Sequence, residues 1–289
     1  MNGPFLTAVV FWLAAWAANV WLARLRPKSA TLAQLINILI PVLFGAALIA
    51  LWEGVTRGFN VPSVLLPAPS MIWGRILSST HILWADFQQT YLKAVIAGYV
   101  MGCGIGFVTA ILVDRSPFLR KGVIPVGNLV AALPIVGVAP IMVMWFGFDW
   151  QSKAAVVVVM TFFPMLVNTV AGLAATGSME LDLMRTYAAS RWQTLFKLRL
   201  PAAMPFIFNA LKINSTLALI GAIVAEFFGT PIVGMGFRIS TEVGRMNVDM
   251  VWATIFVAAL AGSLSYGLIA LAERAVTFWH PSYRRRAGS

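Results

Sequence analysis

Of 289 residues, 60% are hydrophobic and 11% charged, with a mean hydropathy of +0.84, which excludes an ordinary soluble domain, where about a quarter of residues are charged. The 21 Lys and Arg against 10 Asp and Glu leave a net +11, which would suggest nucleic acid in a soluble protein but in a membrane protein is first a statement about topology. Apolar runs fill about half the chain, and what remains is too little for a separate soluble catalytic domain of ~100 residues.

The chain reads as an all-α polytopic membrane protein with about seven transmembrane helices, predicted at 4–22, 32–52, 91–113, 123–146, 154–174, 205–228 and 251–275, each long enough to cross ~30 Å of hydrocarbon. The first is expected to be a retained helix rather than a signal peptide, because Met1 to Phe5 carries no Lys or Arg, whereas a signal peptide has its positive charge before the apolar stretch. In the third, Gly98, Gly102 and Gly106 recur every four residues on one face, which suits close approach of another helix of the same chain more than a dimer seam. Cys103, the single cysteine, is expected to be a small packing residue. The fourth run holds Pro125, Pro134 and Pro140 and is expected to be kinked or broken. Asn168 in the fifth and Asn209, Asn214, Ser215 and Thr216 in the sixth are candidates either to line a polar conduit or to tie helices together. Lys212 and Glu226 lie near the two ends of the sixth run, where snorkelling or pairing satisfies them.

The connections set the orientation. Arg24, Arg26 and Lys28, then Arg115, Arg120 and Lys121, then Arg185, Arg191, Lys197 and Arg199, and finally Arg284, Arg285 and Arg286 all fall on one side of seven spans. With Lys212 and Arg274 that side holds 15 basic residues against Asp114, Glu180, Asp182 and Glu273, and the other side balances six against six. The positive-inside rule puts the N-terminus outside and the C-terminal tail in the cytoplasm. The surplus therefore reads as an address, and no nucleic-acid partner is expected.

Familiar catalytic patterns do not appear. No Lys follows a Gly, so the end of a phosphate-binding P-loop cannot form, and neither His-Glu-x-x-His nor Gly-x-Ser-x-Gly occurs. His81 and His280 are far apart, and no metal site or cofactor is expected in this chain. The longest cytoplasmic connection, Glu180 to Pro201, carries the most organised pattern. Glu180 and Asp182 suit a helix start, and Leu183, Met184, Tyr187 and Ala188 form an apolar stripe. After a turn at Ala189-Ser190, a second helical stretch from Arg191 gathers Trp192, Leu195, Phe196 and Leu200. Such a pair suits either an anionic lipid surface or a partner's groove.

At these residues the chain resembles the permease subunits of bacterial type I ABC importers, the binding-protein-dependent transport family. The family signature is Glu-Ala-Ala, three residues, Gly, about nine residues, Ile, one residue, Leu-Pro. Here Asp182-Leu183-Met184 stands for Glu-Ala-Ala, Ala188 for the Gly, Leu198 for the Ile, and Leu200-Pro201 matches outright. Leu66-Pro67-Ala68-Pro69-Ser70, Trp145-Phe146-Gly147 and Val224-Ala225-Glu226 resemble its nitrate, sulfonate and taurine branch. The resemblance implies a six-helix permease domain at 31–289, with its core at about 85–276, preceded by an extra N-terminal helix at 1–30.

It also implies a cytoplasmic coupling helix that docks on an ABC ATPase, with Asp182, Leu183, Met184, Arg185 and Ala188 at the contact and Ser190, Arg191 and Trp192 bracing it. The implied partners are two ATPase subunits that bind ATP and Mg, a second permease that is identical or homologous, an extracytoplasmic solute-binding protein, and the lipid of the bacterial inner membrane. On this reading the chain is not an enzyme and forms half of the pathway for a small solute. A stand-alone secondary transporter or channel is the alternative, and it would need an ion-coupling site deep in the bilayer.

Overall fold

A computed structural model describes residues 3–278 apart from Arg26 and Lys28. Expectations that fall on Arg26, Lys28, His280 and Arg284 to Arg286 lie outside the described residues. Among the described residues the regular structure is wholly helical. The helices are α1 (Gly3–Arg24), α2 (Ala30–Gly58), α3 (Pro69–Ser78), α4 (Thr80–Arg115), α5 (Pro117–Ala131), α6 (Ile135–Phe146), α7 (Trp150–Ala174), α8 (Ser178–Thr186), α9 (Arg191–Glu226), α10 (Met235–Gly244) and α11 (Val248–Val276). Six of them, α1, α2, α4, α7, α9 and α11, are long and apolar enough to cross a membrane.

The fourth run is broken, as its prolines predict, and the third and sixth spans begin earlier than expected. The fourth run is two helices, α5 of 15 residues and α6 of 12, separated at Pro134, which is extended (φ −67, ψ 122). Proline offers no N–H and pushes the residue before it out of helical conformation, so α5 closes in a tight turn from Ala132 to Leu129 and Leu133 to Val130. The third span begins at Thr80 rather than Tyr91, because the helix continues through a π-helical stretch, Gln88–Val95. The second cytoplasmic stretch from Arg191 is the start of α9 itself, joined to it by π-helical Leu195–Arg199. There Pro201 lacks the N–H that would close on Lys197, and a wider turn accommodates the loss.

The chain divides into two compact units, Met1–Thr80 with Thr241–Thr254, and His81–Ser240 with Ile255–Ser289. In the first, α1 and α2 form an antiparallel hairpin. A Cβ added at Gly54 would come within 2.0 Å of the Ala8 Cβ, and one at Gly58 within 2.7 Å of the Phe5 Cβ. The Glu53 carboxylate accepts from the backbone N–H (2.9 Å) and hydroxyl (2.7 Å) of Ser70, which holds the first turn of α3. Arg75 pairs with Asp249 at 2.8 Å, and Trp52 packs on Trp252 with centroids 5.0 Å apart.

In the second unit α4, α7 and α9 pack through small residues. Gly98, Gly102 and Gly106 all lie against α7, where added Cβ atoms would meet the Val157 Cβ at 2.5 Å, the Thr161 Oγ1 at 2.1 Å and the Phe162 carbonyl at 2.6 Å. Ala203, Ala210, Ala218, Ala222 and Ala225 give α9 a fully buried edge. In lipid, where apolar surface gains nothing from leaving the tails, such close backbone approach and the dispersion it permits hold helices together.

Two contacts order the ends. Gln89 near the start of α4 donates to Asp149 at the start of α7 (2.6 Å), while Arg199 at the start of α9 reaches both Asp114 near the end of α4 and the Leu173 carbonyl near the end of α7. Thus α4 and α7 run parallel and α9 antiparallel to them. The intervening α5 and α6 must together return across the membrane, a seventh crossing made by a broken helix.

Candidate functional site

The segment between α7 and α9 stands out because none of α8 is buried. Its nine residues form a helix through local chemistry alone. Glu180 lies in the first turn, where the helix dipole favours an anion, and Asp182 pairs with Arg185 one turn on at 2.9 Å. Met179, Leu183 and Tyr187 are 81%, 55% and 77% exposed and recur every four residues, so one side of α8 is an uncovered apolar stripe. Met184 is half-buried and Ala188 exposed.

The exit from α8 is sharply defined. Ala188 has φ +52. The Ala189 N–H donates to the Met184 carbonyl at 3.0 Å and the Ala188 N–H to the Arg185 carbonyl at 2.9 Å, the paired bonds of a Schellman motif. Glycine adopts this left-handed conformation freely, so the backbone at Ala188 is that of a glycine carried by an alanine. Two residues later Ser190 caps α9: its hydroxyl accepts from the Gln193 N–H (3.2 Å) and its own N–H donates to the Gln193 side chain (2.7 Å), a reciprocal capping box.

The segment is anchored to the membrane helices by a charged clamp. Arg199 donates to both carboxylate oxygens of Asp114 at 2.6 and 2.9 Å and to the Leu173 carbonyl at 2.9 Å. A bidentate pair satisfies the geometry of both groups, and Asp114 is only 7% exposed. Arg115 lies 3.8 Å above the Trp192 ring, which stacks in turn on Phe196. The start of α9 is thereby tied to the ends of both α4 and α7.

Of the polar residues within spans, Asn214 is fully buried; its amide donates to the Thr161 carbonyl at 2.7 Å and to Cys103 Sγ at 3.2 Å. Ser215 is buried and donates to the Lys212 carbonyl at 2.7 Å. Both are turned into the helix contacts. Asn168 is half-buried and donates to the Pro164 carbonyl. Asn209 and Thr216 are exposed, on a face of α9 that also presents Ile213 and Ile220.

The opposite end of the unit holds a buried network that sequence reading did not assemble. Glu226, 3% exposed, accepts from the Thr90 hydroxyl (2.7 Å) and the Gly236 N–H (2.6 Å), and Thr90 accepts from the Met235 N–H. Asp86, fully buried, accepts from the Gly234 N–H (2.9 Å) and Arg238 (2.8 Å). Gly234 has φ +142, and a Cβ there would fall 2.7 Å from the Glu226 carboxylate. Nearby, the amide of Gln89 holds the Asp149 carboxyl below its ordinary range, against a smaller opposing effect of burial. Lys212 pairs with Glu273 at 2.7 Å.

The family described as Binding-protein-dependent transport system inner membrane component matches residues 102–278. A probable ABC transporter permease protein of Haemophilus influenzae is 30% identical over 222 residues, 77% of this chain and 90% of that protein. The formylaminopyrimidine transport permease protein ThiX of Halalkalibacterium halodurans is 31% identical over 239 residues, 83% of this chain and 95% of that protein. A putative aliphatic sulfonates transport permease protein of Bacillus subtilis is 28% identical over 245 residues, 84% of this chain and 88% of that protein. Among solved structures, inward-facing MetNI methionine ABC transporter matches with TM-score 0.55 at 18% identity, covering 72% of this chain and 99% of that one, which is a likeness of fold.

Proposed function

The chain belongs to the binding-protein-dependent transport system inner membrane components, as a multi-pass permease subunit of an ABC importer, and from that premise we propose how it works. The helix α8 is the contact for the ATPase subunit. The observation that carries this reading is the uncovered stripe of Met179, Leu183 and Tyr187 on a helix that buries nothing of its own. An amphipathic helix displayed in this way is suited to a groove in a partner. Asp182 flanks the stripe as a polar anchor with Arg185 paired to it from the far side of the helix, Ala188 sets the turn, and Ser190, Arg191 and Trp192 brace it. Closure of the ATPase pair on ATP and Mg, both held by that partner, would push α8, and the Asp114–Arg199 clamp would relay the movement to the spans.

The exposed face of α9 with Asn209 and Thr216 is the proposed pathway face, with Asn168 a further candidate. An amide in contact with hydrocarbon alone is costly, so this face suits water or a second permease, identical or homologous, rather than lipid. Two ATPase subunits and an extracytoplasmic binding protein complete the assembly. The N-terminus lies outside and the C-terminus in the cytoplasm, by the basic excess at the α8 end. The domain from residue 31 onward, with its core at about 85–276, is the permease proper, and α1 is an addition to it. Among the relatives are permeases named for a formylaminopyrimidine and for aliphatic sulfonates, which favours a small organic or anionic solute. Chemistry resides in the ATPase and not in this chain.

Leu183→Asp and Ala188→Pro test the assignment in the reconstituted importer. Both are expected to abolish solute-stimulated ATP hydrolysis while leaving membrane insertion intact. Unchanged stimulation in Leu183→Asp would refute the contact.

A further inference from the structure

We propose that the cavity on the inward side of α8 binds the phosphate-bearing headgroup of an anionic membrane lipid. The cavity, of about 860 Å³, falls within the size range of small-molecule sites. It lies between α8, the end of α4 and the start of α9, and Arg115, Arg185, Arg191, Arg199, Asp114 and Trp192 contribute to its wall.

The charges do not cancel. Arg199 is matched by Asp114 through two bonds and Arg185 by Asp182. Arg115 and Arg191 have no carboxylate within ion-pair distance among the described residues, so the wall carries two uncompensated guanidinium groups. The Trp192 ring holds one of them in place, with the Arg115 guanidinium 3.8 Å from its centroid. A planar guanidinium so oriented keeps its edge donors for a tetrahedral phosphate.

The level and surroundings of the cavity favour a lipid as the source of that phosphate. Arg115 is the last residue of one membrane-crossing helix and lies over the Trp192 ring, and Trp is at home at the interface where such helices emerge. Ile111 and Leu195 also line the cavity, and Phe196, 57% exposed, stacks on Trp192. A headgroup between the arginines therefore has an apolar margin for its acyl chains. Basic pockets between helices at the cytoplasmic surface recognise acidic headgroups in this manner.

A partner carboxylate is the less suitable occupant because of the geometry of α8. Leu181 and Arg185, which face the cavity, lie on the side of the helix opposite Met179, Leu183 and Tyr187 at 3.6 residues per turn. One side of α8 is thus free for a protein and the other for lipid. Placing the lipid in the cytoplasmic leaflet rests on the orientation proposed above.

The test is native mass spectrometry of the intact importer, extracted from membranes with equal phosphatidylglycerol and phosphatidylcholine. Phosphatidylglycerol is expected to be retained roughly tenfold in preference. The preference should fall in Arg115→Gln and persist in Arg115→Lys, with the ATPase subunit bound in both. Undiminished phosphatidylglycerol retention in Arg115→Gln would overturn the proposal. Displacement of the lipid by inorganic phosphate alone would overturn it too, by assigning the site to a free anion. Arginine-dependent retention together with normal coupling in Leu183→Asp would sustain the lipid site and refute only the docking role of α8.

Discussion

Ala188 holds a left-handed backbone that disfavours any residue with a Cβ by about 1–2 kcal/mol. Ala188→Gly relieves that strain but frees the unfolded chain, and is expected to stabilise the turn by a net of about 0.5–1 kcal/mol, read as a higher melting temperature with coupling retained. Proline, fixed near φ −65, cannot occupy the position, so Ala188→Pro acts on the same angle in the opposite direction. The Asp114–Arg199 clamp has a different energy scale. Removing one partner leaves the other half-buried and unmatched, and Arg199→Ala is expected to destabilise by about 3–5 kcal/mol, seen as loss of monodisperse protein in detergent. Arg199→Lys should recover part of that but not the bidentate geometry. The sequence placed both residues on the same side and on the correct ends of their spans. Their meeting depends on α4 and α9 lying side by side, which no local pattern encodes, and the same holds for Glu226 with Thr90 and for Arg115 with Trp192.

At the scale of elements, the glycine ladder and the prolines were legible because each acts through its own backbone. Gly102→Leu would drive a side chain into Thr161 and the Val158 backbone, 2.1 and 2.9 Å from the first added carbon. It is expected to eliminate folded protein, whereas Gly104→Leu, with nothing within 4 Å, should be tolerated; expression and gel filtration of the two variants make the comparison. The break at Pro134 followed from proline density, although the exact residue did not. The π-helical turns were illegible, since an i to i+5 bond leaves no periodic trace in a run already apolar on every side. Likewise, Asn214 and Asn209 look alike in sequence. One is buried against Thr161 and the other exposed, and the difference comes from their five-residue offset around α9.

For the whole molecule, composition alone announced the membrane, and the surplus of +11 is read as a sign of sidedness rather than as a hint of partners. Arg115, Arg185 and Arg191 gather at the end where Asp114, Leu173 and Arg199 meet. That is also where α8 projects and where a cavity with two unmatched arginines opens. The coincidence explains why an amphipathic pair read in sequence suited lipid and partner equally well: the two sides of α8 differ in what they offer. The most direct measurement of the central claim is site-specific cross-linking in the assembled importer, from cysteines placed one at a time at Met179, Leu183 and Tyr187 with the buried Cys103 replaced by serine. Docking through the stripe requires an adduct with the ATPase subunit from all three positions and none from a cysteine at Leu181. Adducts from Leu181 but not from the stripe, or none from any position in a complex that still couples ATP hydrolysis to transport, would contradict it.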